Sequence, residues 1–233
     1  MPTNENVTNP LPTEPTTTKY TYENFDLYHS NRLVALTNAT DAEIATLLTA
    51  AGYTAPTIAA KLAELAALKT LDDNQKKEYG EQYQATKEYD DLAATLHPIY
   101  LNHINWGKLI FENDLAAIGT LSLKGKRKRP ESGYCNQALL FYEGALNNAT
   151  YKAALAARGI TEPMLQAGKT GFTNLKNMIP KKAKETGEAQ QATAKRNAAW
   201  DTFDNWFIEF KKYGKLALSS KPQLREKLGW IEK

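Results

Sequence analysis

Lys77-Glu78-Tyr79-Gly80-Glu81-Gln82-Tyr83-Gln84-Ala85-Thr86 recurs as Lys184-Glu185-Thr186-Gly187-Glu188-Ala189-Gln190-Gln191-Ala192-Thr193, with seven of ten positions identical and a numbering offset of 107 between the copies. The same offset pairs Ala50-Ala51-Gly52-Tyr53-Thr54 with Ala157-Arg158-Gly159-Ile160-Thr161, and Gly107-Lys108-Leu109 with Gly214-Lys215-Leu216. Chance does not keep three segments in step, so the reading is a tandem duplication. Asn38-Ala39-Thr40 against Asn148-Ala149-Thr150, and Ile118-Gly119 against Leu228-Gly229, match instead at an offset of 110. They imply a three-residue difference at each end of the repeat.

The signals inside each copy are helical. Thr40, with Glu43 three residues on, has the form of a capping box for a short helix that Gly52 stops; Thr150 and Gly159 bracket its counterpart. Thr54 and Thr161 then precede two long helical patterns that start near Pro56 and Pro163. In the first, Leu62, Leu65, Leu68, Tyr79, Tyr83, Tyr89, Leu92, Leu96, Ile99, Ile104 and Ile110 fall mostly on spacings of three and four, continuing to about Glu112. The second runs from about Pro163 to Leu218, with Trp200, Phe203, Trp206, Phe207, Phe210, Tyr213 and Leu216 as an aromatic-rich core stripe. Patterns this long read as coiled coil or long bundle, and Pro98 and Pro180 are expected to kink or restart them. Pro222–Leu228 is expected as a short last helix before Gly229.

The expected fold is therefore all-α: two similar helical halves whose long helices pack about a pseudo-twofold axis. Residues 1–19 read as a flexible arm, 20–123 as the first repeat, 124–132 as a basic connector and 133–233 as the second repeat. Gly80 and Gly187, at matching sites in the best-matched stretch, weaken a helix and invite a packing explanation. They are the expected helix-crossing positions, where two backbones approach closely.

With 42% hydrophobic and 24% charged residues, the composition favours long solvated helices. No stretch approaches the ~18 apolar residues of a membrane span, and no signal-peptide pattern opens the chain, so a cytoplasmic protein is expected. The lone Cys135 excludes an internal disulfide and reads as a small apolar residue on a helix.

Chemistry-bearing motifs are sparse. Lys124-Gly125-Lys126-Arg127-Lys128-Arg129 places five cations in six positions, a candidate polyanion contact through Lys124, Lys126, Arg127, Lys128 and Arg129. It lacks the interleaved aromatics of a base-stacking surface. His97 and His103 are six apart, on different faces of a helix, and His29 stands alone, so no metal site is expected. Asp72-Asp73 and Asp90-Asp91 are adjacent pairs that diverge on a helix rather than forming an acid/base pair. No P-loop, dinucleotide glycine pattern or nucleophile elbow occurs. Neither an enzyme nor a cofactor is expected.

Tyr28-His29-Ser30-Asn31-Arg32, Gly125-Lys126-Arg127-Lys128-Arg129, and Trp206–Phe210 followed by Lys221–Gly229 resemble a family of uncharacterised all-helical bacterial proteins, over residues 20–230. The resemblance implies a fold and brings no activity, cofactor or catalytic residue. The expected role is a structural or protein-interaction module that self-associates or binds a protein partner. The alternative is nucleic-acid or other polyanion binding through 124–129.

Overall fold

The computed structural model describes residues 24–128 and 131–230, and every regular element among them is a helix. The order is α1 (Phe25–Asn38), α2 (Ala42–Ala50), α3 (Ala55–Ile110), α4 (Leu115–Thr120), α5 (Glu131–Asn147), α6 (Ala149–Ala156), α7 (Glu162–Ala217) and α8 (Pro222–Lys227). Two four-helix runs thus follow one plan, each with a 56-residue third helix and a six-residue fourth. The bounds of α7 and α8 repeat those of α3 and α4 at the same offset of 107 that relates the sequence copies. The expected arm, residues 1–19, lies outside the described residues. No helix among the described residues is long and apolar enough to cross a membrane.

Short polar side chains start α2 and α6, though not at the expected threonines. Asp41 caps α2, its carboxylate accepting from the backbone N–H of Glu43 and Ile44, while the Thr40 hydroxyl donates to the Thr37 carbonyl. Asn148 caps α6 in the same way, accepting from Thr150 and Tyr151. The reason is reach: a carboxylate or amide oxygen at the N-cap meets the N–H groups two and three residues on. Gly52 (φ 93°) and Gly159 (φ 86°) end these helices in the left-handed conformation, letting Tyr53 and Ile160 donate back to Leu48 and Leu155.

At the far end, Ser122 (φ 50°) and Gly229 (φ 73°) make the corresponding turn after α4 and α8. Leu123 donates to Ile118 and Trp230 to Arg225. Gly119 lies inside α4, so the structural counterpart of Gly229 is Ser122, at the offset of 107 rather than 110.

Both long helices are continuous through Pro98 and Pro180. They contribute to two compact units that cut across the sequence halves. One joins the described residues up to Lys69 with those from Asp201 onward; the other is Thr70–Trp200.

In the Thr70–Trp200 unit, α3 and α7 run antiparallel. Tyr100 meets Phe172 edge-on with ring centroids 5.3 Å apart, Glu88 pairs with Lys181 at 3.1 Å, and Arg196 reaches Gln75 at 2.9 Å. The core fills with Tyr100, Ile104, Phe141, Tyr142, Phe172 and Leu175, closed by Leu121 and Leu123 after α4. Aromatic contacts such as Phe141–Tyr142 at 5.2 Å add about 0.5–1.5 kcal/mol each beyond area burial. Two glycines of α7 make this packing feasible. A β-carbon on Gly168 would collide with the Tyr142 ring, and one on Gly171 would lie 2.5 Å from a Leu96 methyl.

The other unit buries Phe25, Leu36, Ile44, Leu48, Leu65, Phe203, Phe207, Phe210 and Trp230. Trp206 stacks on Phe210 at 5.2 Å, and Tyr53 meets both edge-on. Two members of the expected stripe, Tyr213 and Leu216, are exposed instead, as are Tyr79, Tyr83 and Ile99 on α3. Spacing alone does not reveal how wide a strip of each helix its neighbours cover.

Candidate functional site

The repeated stretch forms one charged groove. On α3 the Lys77 ammonium pairs with Glu81 at 3.2 Å and lies 3.6 Å from Glu78; on α7 Lys184 pairs with Glu188 at 2.8 Å and lies 3.6 Å from Glu185. These six side chains line a cleft of about 650 Å³, with Lys181, paired to Glu88, among its other lining residues. The antiparallel course brings matching segments together because the helices pass each other within the repeated stretch. Hydrogen bonds to Glu81 and Glu188 raise the pKa of Lys77 and Lys184, and the Gln84 and Lys181 hydrogen bonds lower that of Glu88. The groove is thus an ion-pair network.

Glu78, Glu185 and Glu188 bring carboxylate oxygens within 4.8 Å of one another, the one acidic grouping among the described residues with metal-ligand proximity. A hard cation takes such oxygens, but here it would compete with the ammonium groups of Lys77 and Lys184.

Gly80 and Gly187 are exposed, and a β-carbon at either would meet no heavy atom within 4 Å. The expectation that they permit close helix crossing is therefore corrected. A β-carbon at either would stand in open space, and the glycines that do admit close neighbours include Gly168 and Gly171, Gly144 against Leu121, Gly107 against Leu123 and Phe141, and Gly214 against Trp230.

The connector divides. Lys124, Lys126 and Lys128 are exposed, and Arg129 lies outside the described residues. Arg127 turns inward, against the expectation of a polyanion contact. It donates to the buried Tyr100 hydroxyl and to the Ser122 carbonyl, both at 2.9 Å, because that phenol and the turn carbonyl need a donor. Lys181, Lys182 and Lys184 face Glu88, Glu131 and Glu188, so they add no unpaired cations to the connector.

The histidines are partnered separately. His29 donates to the Leu65 carbonyl at 3.1 Å, His97 Nδ1 lies 2.6 Å from the Tyr134 hydroxyl, and His103 Nδ1 lies 3.2 Å from the Tyr142 hydroxyl. Burial lowers the His103 pKa and raises those of Cys135 and Tyr134, the last to about 12.

Sequence reading missed the buried polar set at Arg196, where the guanidinium meets Gln75 and lies 3.4 Å from fully buried Asp72. A polar residue on the inner face of the α7 pattern was the available signal. No family model, curated protein or solved structure matches this chain.

Proposed function

We propose that this chain is a non-enzymatic helical interaction module, built by tandem duplication, that associates with a second copy of itself. The observation carrying this reading is a pair of exposed apolar side chains on the last turns of each long helix. Trp106 and Leu109 on α3 are 39% and 66% exposed; their counterparts in the second repeat, Tyr213 and Leu216 on α7, are 45% and 71% exposed. A spacing of three puts each pair on one helix face. Solvated apolar side chains of this size at matching places in both repeats mark contact surface rather than scatter. A second copy is the favoured occupant because one chain carries the same pair twice. A symmetric assembly meets surface with like surface, and both pairs can be covered by one kind of contact.

The test is sedimentation velocity across a concentration range, comparing the chain with its Leu109→Lys/Leu216→Lys variant. Self-association predicts a concentration-dependent species larger than 26.0 kDa that the variant loses while its helical circular dichroism is unchanged. A monomer at every concentration would refute it.

A further inference from the structure

Within the Thr70–Trp200 unit, α3 and α7 meet at two places related by the offset of 107, and the chemistry at the two differs. At the first, Arg196 of α7 donates to Gln75 of α3 at 2.9 Å and lies 3.4 Å from Asp72, all three buried. The offset carries Arg196 to Tyr89, and Gln75 to Lys182. Those two make the second meeting: the Lys182 ammonium of α7 stands 4.3 Å from the centre of the buried Tyr89 ring of α3. At both places the cation comes from α7 and the group that receives it from α3.

A third contact has the same one-way character. Leu96 of α3 fits against α7 because Gly171 has no side chain; a β-carbon there would lie 2.5 Å from a Leu96 methyl. The offset places Glu64 of α3 at the position of Gly171, and Phe203 of α7 at that of Leu96.

We propose that these contacts make the inner faces of the runs α1–α4 and α5–α8 selective, so that each accepts the other and rejects a copy of itself. Pairing α1–α4 with itself would set Tyr89 in the place of Arg196, leaving buried Asp72 without its guanidinium, and would press Glu64 against Leu96. Pairing α5–α8 with itself would set Arg196 against Lys182, cation against cation, and the larger Phe203 against Gly171. Selectivity is a difference between affinities, and a buried polar group that only one partner satisfies supplies it. Two copies of the chain that meet through these faces therefore do so by exchanging unlike runs, α1–α4 of one against α5–α8 of the other. This inference does not rest on association through the helix ends.

The test uses the full chain in the Leu109→Lys/Leu216→Lys background, which removes the helix-end contacts from the readout. A site-specific protease sequence inserted between the exposed Gly125 and Lys126 lets the folded protein be cut into residues 1–125 and 126–233. The cut protein is measured by native mass spectrometry as it stands, and again after unfolding in urea and refolding. The expected result is a pair of unlike fragments both times, with either like pair at least ~10-fold less abundant after refolding. Tyr89→Arg sets a second guanidinium against Lys182 in the unlike pair and gives Asp72 one in the like pair of the first fragment, so that like pair should rise. The proposal is overturned by fragments that separate on cutting or fail to re-form the unlike pair, or by like pairs in statistical proportion. It is also overturned by a Tyr89→Arg mixture of unchanged helical circular dichroism that holds no more of that like pair; the wild-type arm stands whether or not this variant folds.

Discussion

The Tyr142 ring stands where a β-carbon on Gly168 would have to be. The ring is held in place by its hydroxyl contact to His103 and by stacking on Phe172, so it has little room to give. Gly168→Ala should destabilise the chain by about 1–3 kcal/mol, the usual cost of overpacking. Gly80→Ala and Gly187→Ala add helix propensity in open space and should each stabilise by about 0.5–1 kcal/mol. Urea unfolding of the three variants checks the sign at each position; a stabilising Gly168→Ala would contradict the packing described.

Arg196 is the second place where substitution should be costly. Asp72 is fully buried and also pairs with Lys76 at 2.7 Å, so Arg196→Met leaves a partly compensated carboxylate. The expected loss is about 3 kcal/mol, the lower end for a broken buried pair. Replacing both, as Arg196→Met/Asp72→Leu, should cost less than the sum of the two single changes, and a double-mutant cycle by chemical denaturation measures that coupling.

His103 makes stability depend on pH in a stated direction. Burial holds its pKa below the ordinary value, so the unfolded chain binds more protons there than the folded one. Stability contributed by the neutral ring is therefore full above about pH 6.5 and falls as pH drops from there through the depressed folded value. Thermal unfolding at pH 7.5 and pH 5 should show a drop in Tm that shrinks in His103→Gln. An equal drop in both proteins would place the acid sensitivity elsewhere.

The connector gives a fourth prediction. Arg127→Gln leaves the buried Tyr100 hydroxyl without its charged donor and should cost about 2 kcal/mol. Changing the exposed Lys124, Lys126 and Lys128 to Gln should shift stability by no more than about 0.5 kcal/mol each. If the connector binds duplex DNA, those three lysines carry at most ~2.7 units of the log-log salt slope, which the triple variant should remove. Equal destabilisation by Arg127→Gln and by the lysine changes would contradict the inward placement.

The all-helical class and helices α2, α3, α6, α7 and α8 were legible because caps, stops and the constant repeat offset are features of the chain itself, whereas α1, α4 and α5 carry no such signals and were not placed. Gly52, Gly159 and Gly229 end helices where the left-handed turn demands them, whereas α3 and α7 run on through Pro98 and Pro180, where a kink or restart was expected. Which glycine is crowded was not legible, because that depends on the ring that another part of the chain delivers: Tyr142 of α5 to Gly168, and Trp230 from the turn after α8 to Gly214. The same limit hid Arg127, whose partner Tyr100 is distant in sequence. The charged groove was half legible. Its lysines and glutamates belong to the repeated stretch, but their convergence required the antiparallel course of the two helices.

Self-association through the helix ends is tested most directly by hydrogen exchange of the full chain at low and high concentration. Helix-end amides exchange readily unless covered, so a covering partner is visible there. Self-association predicts slower exchange at high concentration in peptides spanning residues 106–115 and 213–222, with core peptides around Tyr100, Tyr142 and Phe172 unchanged. Identical exchange at both concentrations, or slowing confined to other segments, would contradict it.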